Sequence, residues 1–345
     1  MMMKLVEILT YAKNNNCSDV HLSSGCAPMV RIDGDIAPMQ NAEILTSPQV
    51  LEMINSIMDE QQKKIYQTKL DFDFAIAFGQ NTRFRVNVFN TIFGPAAAFR
   101  EISSEIRNLF DIGVPASVHE LTSAKQGLVL VVGPTGSGKS TTISALIDEI
   151  NSLHQSHIIT IEDPVEFVHK NKKSLVNQRE VGNSTPSFAS ALRGALREDP
   201  DVILVGEMRD LETIDLALTA AATGHLVFAT LHTNSAAQTI SRIVDSFPAH
   251  DKASVRSTLS SSIKAIISQR LLKKKGGGRC AAFEVMIANN SIRNLIREDK
   301  IPQINSIIEM GKRSGMCSMK DSINELVDKG IIGHDVAKEA LIAIE

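Results

Sequence analysis

The spacing of apolar positions changes character along the chain. Residues 4 to 13 place Leu5, Ile8, Leu9 and Ala12 on one helical face. A polar break, NNNCSD, follows, and then DVHL and PMVRIDGDI read as short strands with a turn at DGD. Residues 48 to 66 return to helical spacing. DFDFAIAF, TRFRVNVFN and GPAAAFREI alternate like antiparallel strands, with Gly79 and Gly94 near the turns. Together they predict an α+β unit over residues 1–100. Residues 101–117 are charged and punctuated by Gly113 and Pro115, and read as a linker.

From Gly127 the pattern becomes short buried runs separated by helix-length segments. GLVLVVG, HIITIED, DVILVGE and HLVFATLHT are such runs, and they predict a parallel sheet with crossover helices over residues 118–345. Residues 250–272 and 289–345 look mostly helical. KKKGGGR, at 273–279, reads as a flexible turn. The fold class is therefore α/β, with an α+β unit ahead of a parallel-sheet domain.

Composition narrows the function. Hydrophobic residues make up 43% and charged residues 22%, as in soluble globular proteins. The net charge of −3 and the scarcity of aromatics, 4% with no Trp, argue against a nucleic-acid-coating surface. The apolar N-terminal stretch is broken by Glu7 and is no signal peptide, and no apolar run reaches bilayer-spanning length. A cytoplasmic protein without a transmembrane segment is expected. Cys17, Cys26, Cys280 and Cys317 form no Cys-x-x-Cys pair, so a zinc ribbon lacks its ligands.

The chemistry is concentrated at three strand ends. GPTGSGKS, running from Gly133 through Pro134, Thr135, Gly136, Ser137 and Gly138 to Lys139 and Ser140, has P-loop spacing. It follows a strand and opens the helix STTISALIDEI, the context the motif requires, and Thr141 is counted with the loop among the nucleotide-binding residues. Glycines allow a tight turn that brings backbone N–H groups to phosphate oxygens, and the helix N-terminus adds positive potential. Lys139 is the expected ligand of the β- and γ-phosphates of a nucleotide, and Ser140 of Mg2+. Glu207, ending VILVGE, is the expected second Mg2+ partner, because parallel strands deliver their C-terminal ends to one sheet edge. Glu162, ending IITIE, is the candidate for orienting or deprotonating water. His232, ending a third strand, can donate to the γ-phosphate.

At these residues the chain resembles a known family. GPTGSGKSTT, ITIEDPVEFVH, ALREDPDVILVGEMRD and TGHLVFATLHTNSA resemble the Walker A, Asp box, Walker B and His box of the secretion-type hexameric ATPases that power type IV pili and type II secretion. SDVHL and SIRNLIRE extend the likeness over nearly the whole chain. The match is most specific to the PilT-type, twitching-motility branch, the pilus-retraction ATPases. The resemblance implies a PAS-like N-terminal domain, a RecA-like ATPase domain with C-terminal helices, and a homohexameric ring. It implies a peripheral location at the inner membrane, where the ring drives a platform protein at the pilus base, and it allows a paralogous retraction ATPase as a further partner. It also implies arginines of the N-terminal domain that reach the nucleotide, Arg85 in RFRVNVF and Arg100 in AAFREI. Strand alternation alone does not choose between Arg83 and Arg85, which share a face; the resemblance selects Arg85.

The assembly ATPases of this superfamily carry a zinc-binding set of four cysteines that this chain cannot build. SIRNLIRE resembles a retraction-specific signature that usually begins with Ala, where this chain has Ser291. In it Ile292, Leu295 and Ile296 share one helical face, and Arg293, Asn294, Arg297 and Glu298 fall on the other, as a solvated face or a working surface. Phe283 stands where a His is common. An accessory PilU-type retraction ATPase is the second reading. A DNA-pumping P-loop motor is the third, and it would show binding that weakens steeply with salt.

Overall fold

The computed structural model describes residues 4–15, 17–32, 35–79, 82–102 and 105–343. The chain forms two compact units, residues 1–105 and 106–345. The first contains α1 (Leu5–Asn14), β1 (Asp19–Ser23), β2 (Met29–Ile32), β3 (Asp35–Pro38), α2 (Ser47–Asn55), α3 (Glu60–Lys69), β4 (Asp71–Phe78), β5 (Thr82–Thr91) and β6 (Gly94–Ile102). Among the described residues its strands form one antiparallel sheet in the order β3-β2-β1-β6-β5-β4. Strand alternation sends Phe84, Val86, Val88 and Phe99 into a core closed by Leu5, Ile8, Leu9 and Ala12 of α1. The expected turn at residues 33 and 34 lies outside the described residues.

The second unit begins with two short helices, α4 (Leu109–Ile112) and α5 (Ala116–Glu120). It continues through β7 (Gly127–Val132), α6 (Lys139–Leu153), β8 (His157–Glu162), β9 (Leu175–Glu180), α7 (Phe188–Ala195), β10 (Val202–Val205), α8 (Leu211–Ala222), β11 (Leu226–Leu231), α9 (Ala236–Asp245) and α10 (Lys252–Ser262). It ends with β12 (Ile263–Lys273), β13 (Arg279–Ile287), α11 (Asn290–Arg297), α12 (Ile304–Met310), α13 (Met319–Asp328) and α14 (His334–Ile342). The sheet order is β13-β12-β7-β11-β10-β8-β9. Every pairing in it is parallel except β12 with β13. β7, β10 and β11 are buried along their full length, as strands covered on both faces must be.

Three elements, β9, β12 and β13, depart from the sequence expectation. Residues 263–272 are not helical but form β12, paired to β7 on one side and β13 on the other. Ile263, Ile266, Ile267 and Leu271 also fit helical spacing; burial on both faces of the sheet decides for a strand. β9 escaped notice because LVNQRE is polar, as an edge strand can be.

Candidate active site

The P-loop leaves β7 at Val132 and enters α6 at Lys139. Gly133 has φ 147°. A Cβ there would lie 2.4 Å from the carbonyl oxygen of Gln269 on β12, so only glycine fits. Gly138 has φ 89°, and a Cβ there would lie 2.8 Å from Gln269 Nε2. One turn into α6, Thr142 Oγ1 donates to Gln269 Oε1 at 2.7 Å. The loop is therefore pressed against β12 at both of its ends. Lys139 is buried, and its Nζ donates to Gly133 O at 2.8 Å and Pro134 O at 3.0 Å. Burial lowers the Lys139 pKa from its ordinary value, and the negative charges of Glu207 and Glu166 oppose that shift.

These residues fit a phosphate-bearing ligand. Ser137 Oγ is buried with no hydrogen-bond partner among the described residues. The helix N-terminus and a lysine on glycine-loop carbonyls supply the remaining donors. Pro134, Thr135 and Gly136 form the exposed crest of the loop, and Ser140 and Thr141 stand half-buried on the first turn of α6.

The strand tips beside the loop carry the acidic and imidazole groups. β10 is fixed between its neighbours past its last residue: Gly206 N–H donates to Ile161 O at 2.7 Å, and Met208 N–H to Thr230 O at 3.1 Å. Glu207, between them, is half-buried. Its Oε2 lies 2.7 Å from Arg209 Nη2, and its Oε1 lies 3.3 Å from His232 Nε2. The other ring nitrogen, His232 Nδ1, lies 3.5 Å from Lys139 Nζ. Lys139, His232, Glu207 and Arg209 thus form one continuous polar line across three strand tips. Burial pushes the Glu207 carboxyl upward, but the Arg209 hydrogen bond and the charges of Arg209 and His232 outweigh it and leave it below the ordinary value.

Glu162, at the tip of β8, has a different environment. Its Oε1 accepts from Thr160 Oγ1 at 2.7 Å and from Gln178 Nε2 of β9 at 3.2 Å. Burial raises its pKa to about 7, against those two hydrogen bonds. Gln178 also holds the chain after Glu162, donating to Phe167 O at 2.8 Å and accepting from His169 N–H at 2.7 Å. Thr160, Gln178, Arg209 and Gln269 are site residues that sequence reasoning missed. Two of them were within reach of a signal: Thr160 and Arg209 stand two residues from a carboxylate already singled out.

Arg85 and Arg100 belong to the first unit. They are directly opposed across β5 and β6, on the face away from the core. Arg100 Nε lies 2.8 Å from Asp19 Oδ1, and Arg85 Nη2 lies 3.1 Å from Asp73 Oδ2. Arg83 shares that face, as alternation requires. The structure thus groups the expected residues in two sets: Arg85 with Arg100, and the P-loop with Glu207 and His232.

The SIRNLIRE helix, α11, corrects one expectation. Ile292 and Ile296 are buried and Leu295 half-buried, but Arg293 does not sit on the open face. Its guanidinium donates to Ser260 O, to Ser261 O at 2.8 Å and to Ile263 O at 2.9 Å. Those carbonyls end α10 and begin β12, and a cation there satisfies helix C-terminal acceptors. Arg297 and Asn294 pair with each other on the exposed side.

Known proteins align with this arrangement. Residues 1–330 match the family described as Type II/IV secretion system protein (T2SSE). The type IV pilus retraction ATPase PilT of Pseudomonas aeruginosa is 52% identical over 337 residues, covering 98% of each chain. The type IV pilus ATPase PilU of the same organism is 35% identical, covering 97% of this chain and 88% of its own. A crystal structure of the pilus retraction motor PilT with bound ADP superposes with a TM-score of 0.91 at 49% identity, covering 98% of this chain and 97% of that one. By the family match over residues 1–330 and the 52% identity over nearly the whole of both chains, this chain belongs to the type II/IV secretion system ATPase family.

Proposed function

We propose that this protein is an ATP-hydrolysing motor that retracts type IV pili and so powers twitching motility. The observation that carries the reading is the polar line from Lys139 through His232 to Glu207, at the tips of converging parallel strands. The first is positioned for the phosphates, and the other two for the groups that change when the terminal phosphate leaves. The similarity to PilT, 52% identity against 35% for PilU, favours the retraction motor over the accessory ATPase.

In this reading the P-loop amides and Lys139 bind and orient the phosphates of ATP. Ser140 and Glu207 hold Mg2+ or its waters; when bound, that ion neutralises phosphate charge. Glu162, with a pKa of about 7, takes the proton of the attacking water. His232 donates to the terminal phosphate and is released with it. Arg85 and Arg100 are the arginines proposed to add positive charge at the bound phosphates.

The working assembly is a homohexamer on the cytoplasmic side of the inner membrane, acting on a pilus platform protein. Among the described residues no helix is long and apolar enough to cross a membrane, so attachment goes through that partner. Phosphate release by the purified protein tests the reading. Glu162→Gln and Glu207→Gln are each expected to abolish it, and unchanged turnover in either removes that residue from the assignment.

A further inference from the structure

β12 passes beside both halves of the nucleotide site with consecutive residues on opposite faces of the sheet. On the α6 face, Gln269 is 2% exposed, accepts from Thr142 and crowds Gly133 and Gly138. On the other face, Ser268 is 1% exposed, and its Oγ donates to Asn234 O at 2.8 Å. Directly across the ladder from Ser268 is Glu284 of β13. Its Oε1 accepts from Ala236 N–H, the first residue of α9, at 2.8 Å. Asn234 and Ala236 bracket the chain that runs from His232 into α9. Ser268 and Glu284 therefore grip the histidine loop from below, one at a carbonyl and one at an amide, while the next residue along β12 grips the P-loop.

We infer that Ser268 and Glu284 are positioning residues that set His232 against Lys139. The inference rests on the reading of His232 as a group acting at the terminal phosphate. The geometry argues for it because the two grips share one extended backbone. Ser268 and Gln269 are consecutive on one strand, so the hold on the histidine loop and the hold on α6 at the end of the P-loop are joined by a single peptide unit and two side chains. Ser268 and Ala236 are buried and both hydrogen bonds are partly buried, so removing either one loosens the chain after His232. An ordinary core polar pair would stabilise the fold without regard to His232. This pair should act on turnover only through it.

A double-mutant cycle between Ser268→Ala and His232→Ala separates these cases. ATP turnover and ADP binding are measured for wild type, both single variants and the double variant. Ser268→Ala is expected to lower kcat by about tenfold, with ADP affinity held within about twofold. In the His232→Ala background Ser268→Ala is expected to cost less than about twofold more. A full, additive loss in that background would overturn the inference while leaving His232 in its role. A silent His232→Ala would remove the role itself, and the inference with it. Glu284→Ala against Glu284→Gln provides the second arm should Ser268→Ala fail to fold. The glutamine keeps an acceptor for Ala236 N–H and should retain wild-type turnover, whereas the alanine should not. Equal loss in both would overturn the inference.

Discussion

His232 and Glu207 meet 3.3 Å apart, imidazole Nε2 to carboxylate Oε1, at the tips of two adjacent parallel strands. The contact joins the residue proposed to read the terminal phosphate to the residue proposed to hold its metal. Lys139 stands on the far side of the same ring. His232→Ala should therefore lower ATP turnover by about tenfold or more while leaving ADP binding close to wild type, because ADP lacks the phosphate it is proposed to contact. Fluorescent-ADP titration beside a phosphate-release assay measures both. Loss of ADP binding in step with turnover would contradict the assignment.

Glu162 should titrate in the activity. Its carboxyl is pushed up to about 7 by burial, so the basic form gains population as pH rises through neutrality. kcat/KM should rise with an apparent pKa near 7 and then level, and a profile flat through neutrality would remove Glu162 from the role of base. Stability runs the opposite way. A carboxyl whose folded pKa is raised binds a proton more tightly when folded, so stability falls as pH rises from the unfolded value toward 7. Glu162→Gln should therefore gain about 2–3 kcal/mol relative to wild type between pH 5 and pH 8, read by denaturant unfolding.

Arg209 should act through the Glu207 carboxyl. It donates to Glu207 at 2.7 Å and helps to hold that carboxyl below its ordinary value against the upward push of burial. A depressed carboxyl contributes its stability above the unfolded pKa and loses it as pH falls through the folded one. With Arg209→Gln the Glu207 pKa should rise and stability at neutral pH should fall, by a margin that shrinks toward acid. Denaturant unfolding at neutral and acid pH measures it, and a variant as stable as wild type at neutral pH would contradict the pairing.

Arg293 should act on stability first. Its guanidinium satisfies three carbonyls at the junction of α10 and β12, which Ala leaves without donors. Arg293→Ala should destabilise the chain by about 1–2 kcal/mol, with Arg293→Lys recovering part of the loss. Chemical unfolding of the three proteins measures it. An Arg293→Ala protein as stable as wild type would restore the reading of this arginine as a surface group.

Much of the site was legible in the residues because each strand that carries it is a short apolar run ending in glycine, acid or histidine. Val131 and Val132 before Gly133, and Val205 before Gly206 and Glu207, announce both a buried parallel strand and its functional tip. β12 carries no such punctuation. Ile263, Ile266 and Ile267 satisfy helix and strand alike, and only the neighbours β7 and β13 decide between them. Ser268 and Gln269 were invisible for the same reason: their importance lies in what passes over each face of β12. Periodicity puts Arg293 on the open face, solvated or working, because it describes the arginine's own helix and not the carbonyls of α10 some thirty residues earlier. Periodicity finds elements, and it does not find the partners that tertiary packing brings to them.

The most direct test of the whole account is a count of surface pili in cells whose own copy carries Lys139→Ala. Lys139 is the buried ammonium of the P-loop, and its loss should stop ATP use. The account predicts that pili accumulate while twitching ceases, because assembly continues and retraction does not. Cells that lose their pili would contradict it and make this protein an assembly motor.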